Sequence, residues 1–173
     1  MINPPTLELC DDAEIGYRLK ATMEVQRPIE EVFQFFSDAA NLEAITPPWL
    51  NFQILTPTPL DISQGSLLDY KLRLHMIPIK WRTEICNWEP PHRFVDQQLK
   101  GPYKKWYHEH TFFDLGNGVT SVIDNVHYIP RGGSLIHQLV VKPDLEKIFN
   151  YRQEKLTEIF SQQAASKAPC VVS

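Results

Sequence analysis

The sequence predicts an α+β fold in which a curved antiparallel sheet of about seven strands wraps around a long C-terminal helix. Two short helices are expected after the first strand. From residue 51 to residue 129 the apolar residues recur with the two-residue period of half-buried strands, and turn residues separate these strands. From about residue 144 to residue 162 the period changes to that of an amphipathic helix.

The first strand and the two short helices have separate signals. Residues 17–25 alternate between apolar and polar side chains, as in a strand with one buried face. Pro28 and the two glutamates that follow it suit the first turn of a helix, because proline needs no hydrogen bond there and acids face the positive end of the dipole. Asp38 can cap a second short helix, which Pro47-Pro48 must end.

Six further strands follow, with a turn signal between each pair. The alternation is cleanest in residues 66–76, whose apolar side chains, ending at Met76, oppose charged ones. Pro78 marks the turn into the next strand, and Gly116-Asn117-Gly118 is a strong hairpin signal. The predicted strands cover residues 51–57, 66–76, 79–88, 93–100, 103–115 and 119–129.

Gly132-Gly133 ends the predicted sheet, and the long helix follows. A short apolar stretch from Leu135 to Val141 precedes it and is interrupted by Pro143. The apolar stripe of the helix consists of Leu145, Ile148, Phe149, Leu156, Ile159 and Phe160. A curved sheet wrapped around this stripe leaves space between the two layers. The sequence therefore predicts a cavity between the sheet and the helix.

Composition limits the classes of function. With 173 residues, 43% hydrophobic and 22% charged, the chain fits one globular domain, which we expect over residues 1–163, with a flexible tail over residues 164–173. A net charge of −4 argues against a nucleic-acid surface, and no apolar run is long enough to insert stably into a membrane.

The termini and the cysteines bear on location. The N-terminus shows no signal peptide, and three widely spaced cysteines fit neither a disulfide framework nor a zinc motif, so a cytoplasmic protein is expected. Cys170-Val171-Val172-Ser173 fits the pattern for prenylation. Only Lys167 is basic nearby, and a single lipid anchors weakly, so we interpret this segment as a frayed tail.

Motifs spread over residues 42–152 resemble a known superfamily. They are Leu42-Glu43-Ala44-Ile45-Thr46-Pro47-Pro48-Trp49, Trp88-Glu89-Pro90-Pro91-His92-Arg93-Phe94-Val95-Asp96, Gly101-Pro102-Tyr103, Trp106-Tyr107-His108-Glu109-His110 with Phe112, Asp124-Asn125-Val126-His127-Tyr128, and Ile148-Phe149-Asn150-Tyr151-Arg152. In these motifs the chain resembles the START-like (SRPBCC) superfamily of helix-grip proteins, which includes the birch-pollen-allergen (Bet v 1-like) type and polyketide cyclase/dehydrase-like proteins. It is most similar to bacterial ligand-binding members that are found fused ahead of an epimerase-like oxidoreductase domain.

The resemblance implies a helix-grip fold with a hydrophobic pocket, but no single activity, because binders, transfer proteins and a few cyclases share this fold. Because this sequence stops after the long helix, we expect any oxidoreductase partner to be a separate protein.

The segment from Trp106 to Phe112 indicates where the pocket lies. A strand places Trp106, His108, His110 and Phe112 on one face. This mixture is too polar for an ordinary core and too apolar for an open surface. It suits a cavity wall that binds a small, mostly apolar molecule and orients it with a few polar groups.

Hairpin pairing predicts the neighbours of this strand. With Gly116-Asn117-Gly118 as the loop, Leu115 faces Val119. The pairs that follow are His110 with Asp124, His108 with Val126 and Trp106 with Tyr128. The preceding hairpin turns near Gly101-Pro102 and brings Asp96 near Trp106 or His108, with Gln98 on the same face. A slip by one residue would send all these groups to the other face.

Arg152 is unusual because it lies on the apolar stripe of the long helix. A buried charge costs several kcal/mol unless it is paired. Asp96, Asp124 or a carboxylate on a ligand could pair with it, or its stem could be buried with the guanidinium at the rim. Trp49, just after a helix break, is a candidate for the pocket mouth, whereas Trp81 and Trp106 suit either the core or ligand contact.

Three functions stay open, and we favour the first. The protein binds, carries or senses a small hydrophobic ligand. Alternatively, it is a cyclase or dehydratase in which His110 or His108 acts with Asp124 as general base, and Arg152 or Tyr128 steadies the enolate. The third function is an accessory subunit of an epimerase-like oxidoreductase. The predicted ligand-binding residues are Trp49, Trp81, Asp96, Gln98, Trp106, His108, His110, Phe112, Asp124, Tyr128 and Arg152.

Each polar feature also has a structural interpretation. His110 and Asp124 could simply be a satisfied pair that joins two strands, since buried polar groups are normally paired. His108 and His110, two residues apart on a strand, could share a metal ion with an aspartate. The resemblance suggests no metal, and the sequence contains no cofactor motif, so we expect neither a metal nor a cofactor.

Overall fold

The computed structural model describes residues 5–12, 16–57 and 59–166. In this part of the chain, eight strands form one antiparallel sheet, and a long C-terminal helix packs against one face of it. The predicted α+β helix-grip architecture is confirmed, with one strand more than the seven expected.

The strands are β1 (Thr6–Asp12), β2 (Gly16–Val25), β3 (Gln53–Ile54), β4 (Leu67–Leu74), β5 (Ile77–Glu89), β6 (Arg93–Lys100), β7 (Tyr103–Gly116) and β8 (Val119–Pro130). The helices are α1 (Ile29–Ser37), α2 (Asn41–Ala44), α3 (Gly133–Ile136) and α4 (Lys142–Ser166). A 3-10 turn spans Pro48–Leu50, and a π-helical turn spans His137–Val141. The order across the sheet is β1-β2-β8-β7-β6-β5-β4-β3.

The sequence analysis missed β1. This strand pairs antiparallel with β2, and Leu7 and Leu9 turn toward the apolar cluster beneath the sheet. The alternation of Leu7 and Leu9 with Thr6, Glu8 and Cys10 was a signal for it, although a short one.

The turn between β4 and β5 lies earlier than predicted. His75 and Met76 form it with φ of 48° and 69°, and Met76 is 81% exposed instead of contributing to the buried face. Pro78, predicted as the turn residue, lies inside β5 opposite Arg73.

The turn between β7 and β8 also differs in detail. Gly116 pairs with Val119, so the loop is Asn117-Gly118, whose φ of 55° and 68° are those of a type I′ turn. The prediction that Leu115 faces Val119 is wrong, because a bulge between Asp114 and Gly116 absorbs Leu115. The bulge restores the register beyond it, and the pairs His110–Asp124, His108–Val126 and Trp106–Tyr128 are as predicted.

Two further elements differ from prediction in their bounds. The strand expected over residues 51–57 is reduced to β3, two residues long. The helical segment at the C-terminus starts at Gly133, because the π-helical turn joins α3 to α4, and Pro143 lies in the first turn of α4, where proline is tolerated. α4 extends to Ser166, and residues 167–173, with the Cys170–Ser173 pattern, lie outside the described residues.

The core consists of two apolar clusters that α4 joins. Leu156 and Phe160 belong to the cluster beneath α1 and the ends of β7 and β8, and Leu145 and Phe149 to the cluster nearer Trp106. The buried Gln153 donates hydrogen bonds to the main-chain oxygens of Thr6 and Thr22, at 2.9 and 3.2 Å, and so ties α4 to β1 and β2. Among the described residues, no helix combines the length and the hydropathy that crossing a membrane requires.

Candidate functional site

A cavity of about 200 Å³ lies between the sheet and α4, where the sequence placed it. Its walls come from β4 to β7, from the segment around α1 and α2, and from α4. Asp38, an exposed residue between the two short helices, also lines the cavity, so the cavity reaches the surface there. Six of the predicted ligand-binding residues line it: Trp81, Asp96, Trp106, His108, His110 and Arg152.

The other five predicted residues lie outside the cavity wall. Phe112 is fully buried in the core, and Asp124 lies behind the two histidines. Gln98 closes the β6–β7 hairpin, because its amide group hydrogen-bonds to both the N–H and the carbonyl of Tyr103. Trp49 is 43% exposed and packs edge-on against Tyr151 with Lys147 over its ring, so it contacts the outer face of α4.

Tyr128 is also directed away from the cavity. Its hydroxyl lies 3.0 Å from Nε2 of His137, and it is 0% exposed. His137, in the π-helical turn, stacks on Tyr17 with ring centroids 3.4 Å apart. The predicted role of Tyr128 in steadying a substrate enolate is therefore not available in this arrangement, because the hydroxyl serves a buried contact between the sheet and the start of the C-terminal helix.

Aromatic rings form much of the apolar wall. Trp81 and Trp106 meet edge-to-face with centroids 5.5 Å apart, and Tyr70 stacks on Trp81 at 5.8 Å. Burial raises the pKa of Tyr70 far above its ordinary value, so the phenol is uncharged. The site prediction missed Tyr70 and Phe149, although the alternation of β4 and the stripe of α4 had placed both on the inner face.

Two histidines and two aspartates form a compact cluster at one end of the cavity. Asp96 pairs with His108 across β6 and β7, and its Oδ2 lies 3.4 Å from Nδ1 of His108 and 3.2 Å from Nε2 of His110. The opposite ring nitrogens face Asp124, whose Oδ1 lies 2.7 Å from Nδ1 of His110 and 3.5 Å from Nε2 of His108. The two imidazoles are therefore held between two carboxylates.

Burial and neighbouring charges shift the pKa values of three of these groups. Burial opposes a charge on His110, but the neighbouring carboxylates of Asp124 and Asp96 outweigh this and raise its pKa. Burial and the positive charge of His110 lower the pKa of His108. Burial favours the protonated form of Asp124, but His110 and His108 together hold the pKa of this carboxyl well below its ordinary value. These shifts favour the charged forms of His110 and Asp124 and the neutral form of His108.

The side chains of the cluster lie close together, but not every contact between them has the geometry of a hydrogen bond. Nδ1 of His110 and Oδ1 of Asp124 approach to 2.7 Å, yet the geometry does not qualify as a hydrogen bond to the ring N–H. The contact is better described as an ion pair. Nε2 of His108 likewise has no aligned partner.

Arg152 faces the cavity from α4, and neither predicted carboxylate pairs with it. Asp96 and Asp124 contact the two histidines instead. In the described part of the chain Arg152 forms no ion pair, and its buried Nε has no hydrogen-bond partner. The guanidinium carbon lies 5.9 Å from the centre of the Phe149 ring. Its charge also lowers the pKa of Tyr70, although burial outweighs this effect.

An antiparallel sheet that grips a long C-terminal helix around an apolar cavity with a few polar groups defines the class of helix-grip proteins with an internal pocket. Within this class, the chain belongs to the family described as polyketide cyclase / dehydrase and lipid transport, which it matches over residues 25–157. The predicted superfamily is thereby confirmed.

Solved structures with the same fold are distant in sequence. A protein from Mycobacterium smegmatis is 18% identical, with a TM-score of 0.66 over 92% of this chain and 99% of that one. The Zhui aromatase/cyclase from a Streptomyces species is 16% identical, with a TM-score of 0.61 over 94% of this chain and 98% of that one. At such identities the likeness shows the fold alone. Among curated proteins, none matches this chain.

Proposed function

We propose that this protein binds a small, mostly apolar molecule with an acidic group in the cavity between the sheet and α4. The observation that carries the proposal is Arg152, a cation that faces an aromatic cavity without an ion-pair partner in the described part of the chain. Its buried Nε has no hydrogen-bond partner there, and leaving it unsatisfied costs free energy. An acidic group on the ligand would complete a charge-assisted hydrogen bond and so recover that cost.

The remaining wall supports an apolar ligand body. Aromatic rings from Tyr70, Trp81, Trp106 and Phe149 line the cavity. Aliphatic side chains from Leu72 and Leu145 also line it. Pockets that bury drug-sized ligands measure roughly 300–1,000 Å³. A cavity of about 200 Å³ therefore favours a compact ligand with one or two rings over a long lipid chain.

A matched pair of probes tests this proposal. 2-Naphthoate and its neutral amide share the bicyclic body and differ in charge, and binding can be followed through quenching of Trp81 and Trp106. We expect 2-naphthoate to bind more tightly than the amide, and Arg152→Met to weaken 2-naphthoate by about 10- to 100-fold. Binding of the amide should change by less than about threefold, because it makes no ion pair.

Lys147→Met is the matched control. Lys147 is a cation on the same helix, but it lies over Trp49 outside the cavity. This variant should bind both probes as the wild type does. The proposal would be wrong if neither probe bound, or if Arg152→Met and Lys147→Met had equal effects on the binding of 2-naphthoate.

A specific observation also favours a second candidate, an enzyme of the cyclase or dehydratase type. His108 is buried and neutral, lines the cavity, and lies between two carboxylates. A neutral imidazole in this position is the state that accepts a proton from a carbon next to a carbonyl. Of the two histidines predicted as a base, His108 fits better than His110, because the carboxylates beside His110 raise its pKa and favour its protonated form.

Solvent deuterium exchange tests the second candidate. A bicyclic ketone such as 2-tetralone carries acidic hydrogens next to its carbonyl, and NMR follows their replacement in D₂O. If His108 is a base, the wild-type protein accelerates exchange, His108→Gln abolishes the acceleration, and His75→Gln keeps it. His75 is a suitable control because it also contacts an aspartate, Asp144 at 2.6 Å, but on the surface. Exchange at the uncatalysed rate would show that His108 is not a base. This result would not affect the proposal that the cavity binds a ligand.

The third function, an accessory subunit of an oxidoreductase, stays a prediction from the resemblance, as do the cytoplasmic location and the absence of nucleic-acid binding.

A further inference from the structure

The histidine–aspartate cluster contains more polar side chains in close contact than the pairing of two strands requires. Asp96, His108 and His110 each offer one ligand atom, and these atoms lie within 4.8 Å of one another. All three side chains line the cavity. Two imidazoles and one carboxylate that leave one side open are a donor set for first-row transition metals.

Two of the three distances between the ligand atoms fit a tetrahedral ion. With metal–ligand bonds of about 2.0–2.1 Å, neighbouring ligand atoms of a tetrahedron lie about 3.3–3.4 Å apart. Oδ2 of Asp96 lies 3.4 Å from Nδ1 of His108 and 3.2 Å from Nε2 of His110. These two edges therefore already have nearly the length that a bound ion requires.

Asp124 occupies the position of a supporting carboxylate. Metal-binding imidazoles usually direct their second nitrogen at a carboxylate or carbonyl, which fixes the ring and raises its basicity. Here Oδ1 of Asp124 faces the second nitrogen of both rings, at 2.7 Å for His110 and 3.5 Å for His108. Asp124 lies outside the cavity wall, so it can support the site without competing for the ion.

The charge balance also favours a dication. The carboxylates of Asp96 and Asp124 flank the pair of rings. A divalent ion bound between Asp96 and the two rings would balance the charge of these two carboxylates.

We propose that Asp96, His108 and His110 bind a divalent transition-metal ion of the zinc type, with its fourth position open to the cavity. This goes beyond the proposed function, because binding of the ion requires no organic ligand. It also departs from the sequence-based expectation of no metal, which rested on resemblance and could not include the orientation of the rings.

Titration of the untagged, chelator-stripped full chain tests the proposal directly. Isothermal titration calorimetry with ZnCl₂ should give one ion per chain, with a Kd of about 1 μM or tighter. Co²⁺ in place of Zn²⁺ should produce visible absorption bands with the intensity of a four- or five-coordinate ion. Asp96→Asn and His108→Asn should each weaken Zn²⁺ binding by at least about 100-fold, and Asp124→Asn by about 10- to 100-fold.

His75→Asn is the matched control, because His75 and Asp144 form a contact of 2.6 Å outside the cavity and the side chain of His75 is 61% exposed. This variant should bind Zn²⁺ as the wild type does. Near-ultraviolet circular dichroism verifies that each variant is folded, and Asp96→Asn, at the cavity wall, serves if a variant of the more deeply buried residues does not fold.

Less than about one Zn²⁺ per ten chains, or Zn²⁺ affinity that Asp96→Asn leaves unchanged in a folded protein, would overturn the proposal. Binding of 2-naphthoate to the same stripped protein is measured in parallel. Probe binding without Zn²⁺ binding refutes the metal site alone, and Zn²⁺ binding without probe binding refutes only the proposed ligand.

Discussion

Replacement of Asp124 by asparagine removes the carboxylate that faces both histidines and keeps nearly the same shape. The variant leaves the cationic His110 in a buried site without its closest counter-ion, 2.7 Å away. Because removing one partner of a buried ion pair strands the other charge, the protein should lose stability even though no apolar contact is lost.

The expected size follows from the distance and the burial. At 2.7 Å and an effective dielectric constant of about 20, two unit charges attract by about 6 kcal/mol, part of which is spent on their desolvation. His110 can also release its proton in the variant, which limits the loss. We therefore expect the free energy of unfolding to fall by about 2–4 kcal/mol at about pH 5.5.

A pH of about 5.5 lies in the range in which both pKa shifts stabilise the folded protein. The raised pKa of His110 contributes stability that is complete below its ordinary value of 6.5 and is lost as pH rises through the folded-state pKa. The lowered pKa of Asp124 contributes stability that is complete above 3.8 and is lost as pH falls through the folded-state pKa. Both contributions are complete between pH 3.8 and 6.5.

A double-mutant cycle isolates the pair. Urea unfolding of chelator-stripped wild type, Asp124→Asn, His110→Gln and the double variant, followed by tryptophan fluorescence, should give a coupling of about 2 kcal/mol or more at about pH 5.5. The coupling should become smaller at higher pH, because the stability that comes from the raised pKa of His110 is lost as pH rises through the folded-state pKa.

The exposed pair of Asp69 and Arg82 provides the control, because its charges also lie 2.7 Å apart but face solvent. Water and salt screen such pairs, so the corresponding cycle should give a much smaller coupling. A coupling between Asp124 and His110 below about 0.5 kcal/mol at about pH 5.5, or one that does not change with pH, would refute the assignment of a buried ion pair.

Three further changes test other parts of the structure. Because burial and the charge of a neighbouring imidazole lower the pKa of His108, the stability of the metal-free protein should rise with pH up to about 6.5. In urea unfolding, His108→Gln should flatten this rise of the midpoint with pH. If the midpoint of His108→Gln rose with pH as steeply as that of the wild type, the lowered pKa would be contradicted. Gln153→Leu removes two hydrogen bonds to β1 and β2 and should lower the free energy of unfolding by about 1–3 kcal/mol, whereas a loss below about 0.5 kcal/mol would show that the amide does not anchor α4. Gly118→Ala places a Cβ at φ 68° and should cost about 1–2 kcal/mol by thermal unfolding; an equally stable variant would argue against the type I′ turn.

The register of β7 and β8 could be predicted from sequence because two independent signals agree. The Asn117-Gly118 dipeptide requires a tight turn, and the period of two on both strands excludes a slip by one residue, which would expose the apolar face. The bulge at Leu115 was not predicted, since it leaves the pairing beyond it unchanged. β1 was missed because a strand of seven residues at a chain end has little pattern to distinguish it.

The chemistry of the site was predicted only as a set of residue types. Sequence placed Asp96, His108, His110 and Arg152 near one another, and all four line the cavity. It could not tell which ring nitrogen faces which carboxylate, because this depends on side-chain rotamers set by packing. It also could not tell that both aspartates face the histidines and leave Arg152 without an ion pair in the described structure.

The two aspartates of the cluster should differ in how much they affect stability and binding. Asp124 is buried behind the rings and outside the cavity wall, so its loss should act directly on stability and on binding only through the positions of the rings. Asp96 contacts the same rings but also lines the cavity, where a ligand or a metal ion can reach it. If the cluster served only to join strands, Asp96→Asn and Asp124→Asn would both act through stability alone. If the cluster binds something, Asp96→Asn should impair binding more than stability, so comparison of these two variants in one protein separates a structural cluster from a functional one.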